Sequence, residues 1–228
     1  MAGPPSNPQS SGAMVAAQIV LAGAASTDID AECAAIKASF DPPIVTGSHS
    51  SVAAANKASG SGCQAEHAVP ASNFHESGRS GPRIEGASGY NTGDAFCWNA
   101  FDNQSAATEH KVLTDAMKQF SESLGGQNAT LEQWMDQYQK KAEECLASES
   151  ESRSDKAEQR SRLPGKTKEE REALAKKEAA CLRIEMERAF AAMDPPVSPS
   201  TPLRNGLTQG PPPPSAPAGG SGVPSVGV

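Results

Sequence analysis

Along residues 106–124, Ala106, His110, Leu113, Met117, Phe120 and Leu124 recur at alternating spacings of four and three. That period belongs to a helix with one buried face, so this stretch commits the chain to a second layer packed against it. Gly125-Gly126 predicts the helix end, and Thr130-Leu131-Glu132-Gln133 is a capping box that opens another helix. Leu131, Trp134, Tyr138 and Cys145 give the second helix its own apolar face. His110 lies in the first stripe, where a histidine is either a hydrogen-bonded core residue or a ligand aimed at whatever packs there.

The densest chemistry lies upstream, in Cys63-Gln64-Ala65-Glu66-His67-Ala68-Val69-Pro70-Ala71-Ser72-Asn73-Phe74-His75. Pro70 fixes its own φ and biases Val69 away from helix, so a strand carrying Glu66 and His67 should end there. On a regular strand the two side chains point to opposite faces; at a strand end or bulge both can approach one ion. A carboxylate beside an imidazole suits metal-assisted hydrolysis, in which the acid holds a hard cation and the imidazole takes a proton from water. The same dipeptide is also common on solvated surfaces. Ala95-Phe96-Cys97-Trp98 predicts a short strand pairing with the one before Pro70, and the Gly-rich stretch 76–94 between them reads as a long functional loop.

The pattern Glu66-His67-x-x-Pro70-x-Ser72 resembles the first strand and turn of the HNH/endonuclease VII nuclease superfamily, in particular its bacterial polymorphic-toxin branch. Tyr90-Asn91, Ala95 to Asn99, Asp102 and Thr108-Glu109-His110 follow in the order of that pattern, so the resemblance covers roughly residues 60–125. It implies a small ββα-metal, treble-clef-like core, in which two strands and a helix hold a divalent cation such as Mg2+, Mn2+ or Zn2+. By the same resemblance His67 is the general base, Glu66 and His110 are metal ligands with His75 or Asp102 as a third, and Asn99 or Asn103 is the central asparagine. Arg79, Arg83 and Lys111 are the candidate substrate-binding cations. DNA is the implied substrate, with RNA left open because no base-reading motif is present. A cognate immunity protein, a secretion or delivery machinery, and action in a target bacterial cytoplasm complete what the resemblance implies.

Charge pulls the other way. The net charge is −7, and within residues 60–125 eight acidic side chains outnumber Arg79, Arg83, Lys111 and Lys118. The balance therefore argues against non-specific nucleic-acid binding through bulk charge, and a bound cation with a local cluster of Arg79, Arg83 and Lys111 would have to compensate. A non-enzymatic metal-binding or adaptor module, using a C-terminal helix and Pro-rich tail, is the alternative.

With hydrophobic residues at 37% and 38 Gly and Pro together, the expectation is an α+β, mostly helical chain: a compact centre with added helices and disordered ends. Residues 1–12 read as a flexible arm and 13–147 as the core with flanking helices. Within that core Ala13–Ala25 is a buried helix, too short to span a bilayer, and no membrane partner is expected. Asp28–Phe40 reads as a helix stopped by Asp41-Pro42-Pro43, and residues 47–62 as a loop carrying a surface His49. Residues 148–166 read as a linker and 167–193 as a charged helix with a thin stripe of Leu174, Cys181, Ile184 and Phe190. Ten of the 18 prolines fall in residues 194–228, which read as a disordered tail. Five dispersed cysteines without a C-x-x-C pair disfavour a zinc ribbon or a dense disulfide scaffold; Cys63 and Cys97 flank the candidate site, either as reduced thiols or as a pair.

Overall fold

A computed structural model describes residues 26–79, 81–101, 108–148 and 161–205. The flexible arm, the apolar run 13–25, Asp102, Asn103, Ala106 and residues 206–228 of the expected tail lie outside the described residues. Among the described residues the chain is α+β, with five α-helices and two small sheets. No helix among them is long and apolar enough to cross a membrane.

Helix α1 (Ser26–Ala38) leads into strand β1 (Thr46–Ser48), helix α2 (His49–Ser59) and strand β2 (Cys63–His67). A one-turn 3-10 segment (Ala71–Phe74) and the long loop then lead to strand β3 (Phe96–Phe101). The remainder is helix α3 (Glu109–Ser123), a two-residue strand β4 (Ala129–Thr130), helices α4 (Leu131–Ala147) and α5 (Lys168–Ala191), and strand β5 (Pro202–Leu203). Strand β3 is central, with β1 and β2 antiparallel on its two sides, and Phe96 to Ala100 are all buried. Burial on both faces is why this strand reads as a continuous apolar run rather than an alternating one.

The expected loop at residues 47–62 is instead β1 followed by α2. Ser48 caps α2 by accepting from the Ser51 N–H at 3.2 Å, Val52 supplies its buried contact, and Gly60 ends it at φ 61°. Small and polar residues masked a helix whose interior, Val52 to Lys57, holds three alanines.

Three further expectations change for one reason. Arg162 and Leu163, placed in the linker, are 2% and 1% exposed. Helix α5 buries Arg171, Ala175, Glu178, Ala179, Leu182, Met186 and Phe190, a fuller stripe than the one read from its large apolar residues. Its small alanines let α4 approach closely, so this stripe packs into the core. Within the expected tail, Val197 and Leu203 are core residues, and β5 pairs with β4 in the register Ala129↔Leu203. Each of these segments buries a few scattered side chains that only tertiary partners make visible.

The C-terminal segment also braces the long loop. The Arg204 N–H donates to the Asn73 carbonyl at 3.0 Å and its guanidinium to the Ser72 carbonyl at 3.1 Å. A Cβ on Gly89 would come within 2.0 Å of the Pro195 carbonyl oxygen, so glycine is needed where the two backbones cross. Phe74 stacks on Tyr90 at 3.9 Å and faces Phe190 at 5.5 Å, joining loop, turn and α5. A disulfide links Cys33 to Cys181, tying α1 to α5 across 148 residues of chain, whereas Cys63, Cys97 and Cys145 are free. Cys63 pairs with Phe101 and Cys97 with His67 in the sheet, so the two cysteines beside the candidate site are not joined to each other.

A chain ending at Met193 loses Val197 and Leu203, and its melting temperature should fall by several degrees in a calorimetric scan. An unchanged midpoint would show that the segment does not support the core. A second expectation concerns Glu178, which is fully buried and whose carboxylate oxygens have no hydrogen-bond partner among the described residues. Burial pushes its carboxyl up to about 8; Lys37 and Arg162 oppose this and Glu185 reinforces it. The folded state therefore holds a proton that the unfolded chain releases above the ordinary carboxylate range. Stability should decline as pH rises from about 4.5 to 8, in total by on the order of 5 kcal/mol at most. Urea titrations of Glu178→Gln at pH 5 and pH 9 should show that this component has gone.

Candidate functional site

Strand β2 carries Glu66 and His67 into the sheet in regular register, Glu66 opposite Trp98 and His67 opposite Cys97. The two side chains consequently leave opposite faces of the strand and no bulge brings them to one side, which corrects the expectation that Pro70 lets both approach one ion. Glu66 is buried against α3, where its Oε2 meets His110 Nδ1 in a direct ion pair. Burial pushes the Glu66 carboxyl up, and the hydrogen bond and charge of His110 pull it back. Behind the carboxylate lie Trp98, opposite it on β3, and Tyr138 of α4, whose hydroxyl accepts the indole N–H of Trp98. The Tyr138 phenol is driven up by its burial and then by the Glu66 charge.

The position of His110 follows from its neighbour. Glu109 Oε2 accepts the Phe101 N–H at 3.0 Å, and Glu109 Oε1 lies 2.8 Å from Arg162 Nε in an ion pair buried on both sides. These contacts hold the first turn of α3 against the end of β3. His110, next in sequence, is thereby presented to Glu66. Sequence reasoning missed Glu109 and Arg162; the signal available was a carboxylate in the first turn of a strongly amphipathic helix, which reads equally well as a dipole partner.

His67 sits in a different environment. Its ring stacks on His49, from the first residue of α2, with centroids 4.6 Å apart and planes 18° from parallel. Nε2 lies 3.4 Å from the Thr92 carbonyl, an interaction that selects the Nε2–H tautomer and leaves the Nδ1 lone pair as the proton acceptor. Burial lowers the imidazole pKa to about 4, and the charges of His49, Arg79 and His110 act in the same direction against the Thr92 carbonyl. His67 is therefore neutral at pH 7. His49, expected as a surface residue in a loop, is thus part of the site; the loop reading hid it, since a helix beginning at His49 fixes where its ring goes.

The other candidates separate. His75 is buried 1% exposed, with Nδ1 2.6 Å from the Gly81 carbonyl, and Arg83 Nη1 approaches its ring nitrogens at 2.9 and 3.0 Å. Arg83 also donates from Nε to the Tyr90 carbonyl at 2.6 Å, so His75 and Arg83 fasten the long loop internally and do not join Glu66 and His110. Asn99 accepts the Val45 N–H at 2.8 Å and donates to the Pro43 carbonyl at 3.0 Å, which anchors the entry to β1. Lys111 is paired with Asp115 one turn along α3. Of the three expected substrate cations, Arg79 is exposed and acts electrostatically on His67. Asp102 and Asn103 lie outside the described residues.

The donor chemistry of Glu66 and His110, a carboxylate and an imidazole at a strand–helix junction, suits a divalent cation. Among the described residues no group of three or more His, Cys, Asp and Glu side chains is assembled as a metal site, so the two would supply only part of a coordination shell. No protein-family model, curated protein or solved structure matches the chain.

An NMR titration should find His67 neutral down to about pH 4. Because its folded pKa lies below the unfolded value near 6.5, the unfolded chain binds the extra proton between these limits. The His67 contribution to stability is then complete above about pH 6.5 and is lost as pH falls towards 4. A His67 midpoint near 6.5 in the folded protein would contradict this burial effect.

Proposed function

We propose that the protein is a metal-dependent endonuclease that hydrolyses phosphodiesters of DNA, with His67 as general base and Glu66 and His110 as residues that would hold the cation. The observation that carries this reading is the direct meeting of Glu66 and His110. Glu66 comes from the end of β2 and His110 from the first turn of α3, the helix that follows β3, in the order strand–strand–helix. That order and the Glu66-His67-x-x-Pro70 resemblance support a ββα-metal core; the order alone is compatible with many folds.

A divalent cation, Mg2+, Mn2+ or Zn2+, supplies charge neutralisation at the phosphate when bound. The chain's own residues do the rest. Neutral His67 accepts a proton at Nδ1 from the attacking water while its Nε2–H remains on the Thr92 carbonyl. An imidazole depressed to about 4 is a weak base in the free protein. An anionic phosphate beside it favours the imidazolium, so substrate binding raises its proton affinity at the moment the proton is transferred. Arg79, whose charge already acts on His67, would act on the same phosphate.

The wider setting belongs to the same proposal: an antibacterial toxin, delivered by a secretion machinery, acting in a target cytoplasm and neutralised by a cognate immunity protein. The resemblance supports it, and so does the Cys33–Cys181 bond, because disulfides persist in oxidising compartments outside the cytoplasm.

Purified full-length protein with Mg2+ or Mn2+ should nick supercoiled plasmid, and EDTA should stop it. His67→Ala should reduce cleavage on the order of 10²- to 10⁴-fold with the fold intact, and His110→Ala should weaken cation binding in a calorimetric titration. Undiminished cleavage by folded His67→Ala protein refutes the assignment.

A further inference from the structure

The ring of His49 lies against the ring of His67. The contact is specific in form: two imidazoles nearly parallel at 4.6 Å, at van der Waals range for stacked rings. The backbone beneath is equally constrained. The His49 N–H donates to the Ala95 carbonyl at 2.9 Å, and the Ser50 N–H and hydroxyl both reach the Gly93 carbonyl, at 3.1 and 3.0 Å. The first turn of α2 is therefore fastened to residues 93–95, directly after the Thr92 carbonyl that receives His67 Nε2. One knot thus supplies both the plane against which the His67 ring lies and the acceptor that selects its tautomer.

We propose that His49 is a positioning residue for His67, its ring holding the His67 imidazole in the orientation that directs Nε2 to Thr92 and keeps Nδ1 as the proton acceptor. The proposal rests on the reading of His67 as general base and adds to it the residue that orients that base. A side chain at the end of a strand, half-buried and with a single 3.4 Å polar contact, otherwise has rotational freedom about its last torsion. A parallel ring removes that freedom without competing for the proton. The charged and titratable groups around His67 are His49 on α2, Arg79 in the loop and His110 on α3, with Cys97 opposite on β3. His49 is the one in ring contact with it, so the orientation depends on His49 and the overall field depends on all of them.

The test uses full-length protein with 15N-labelled histidine, compared as wild type, His49→Phe and His49→Leu. Phenylalanine keeps a flat ring over His67, and leucine fills similar space without one. In the wild type the His67 ring nitrogens should report the Nε2–H tautomer alone. His49→Phe should retain it, with cleavage within a few-fold of wild type. His49→Leu should show mixed tautomers, and turnover lower on the order of 10- to 100-fold at unchanged apparent affinity for plasmid, the range expected for a misplaced catalytic group. A His49→Leu protein with wild-type His67 tautomer and titration overturns the proposal, as does a rate loss carried entirely by weaker DNA binding. If wild-type protein fails to cut DNA under every metal condition, the nuclease reading falls, and the nitrogen signals still decide whether His49 orients His67.

Discussion

A buried ion pair holds the candidate site in register. Arg162 and Glu109, both nearly inaccessible to water, meet at 2.8 Å, and the guanidinium also donates to the carbonyls of Pro42 and Asn99 while lying over the Trp98 and Phe101 rings. Removing either charge would leave the other desolvated and uncompensated, which typically costs about 3–5 kcal/mol. The pair thus locks together the end of β3, the start of α3 and the segment leading into α5. His110 reaches Glu66 because Glu109, its neighbour, cannot move.

Around that fixed junction the protein keeps two acid–base groups in contrasting environments on opposite sides of one strand. Glu66 is buried in direct contact with His110, which opposes the upward push that burial gives its carboxyl. His67 is half-buried among groups that disfavour a positive charge, so it stays neutral and ready to accept a proton. Under the proposed reading Glu66 would hold the cation and His67 would exchange the proton, their environments pushing the carboxyl up and the imidazole down. The contrast arises from the strand's two-residue alternation and from which helix covers each face, α3 over Glu66 and the first turn of α2 beside His67.

The long loop between β2 and β3 is held by structure rather than by composition. His75 and Arg83 close it from within, Tyr90 stacks into the core on Phe74, and the segment 194–205 crosses it at Gly89. Thr92 can act as a fixed acceptor only because this bracing is complete. The C-terminal segment therefore contributes to the site at one remove, by restraining the loop whose backbone orients His67.

Much of this was legible in the residues. The four-and-three spacing from His110 to Leu124, the Thr130 and Thr167 capping boxes and the Pro70 stop determine α3, α4, the start of α5 and the end of β2 by local chemistry alone. Singling out Glu66 and His110 together rests on the resemblance to the nuclease superfamily, and the structure brings those two side chains into contact. What the tertiary structure decided were the contacts of residues with no local signature. The alanine-rich α2 carries no periodic apolar signal, because its side chains are small, and the place of His49 in the site stays hidden with it. Arg162, Leu163, Val197 and Leu203 stood in Pro-, Gly- or Ser-rich surroundings, and their burial depends on partners far away in the chain. His75, Arg83 and Asn99 carried the right chemistry for a site, yet backbone carbonyls and amides 2.6–3.0 Å away claimed them for the scaffold. Residue type sets what a side chain can bond; only the packed chain sets which partner arrives first.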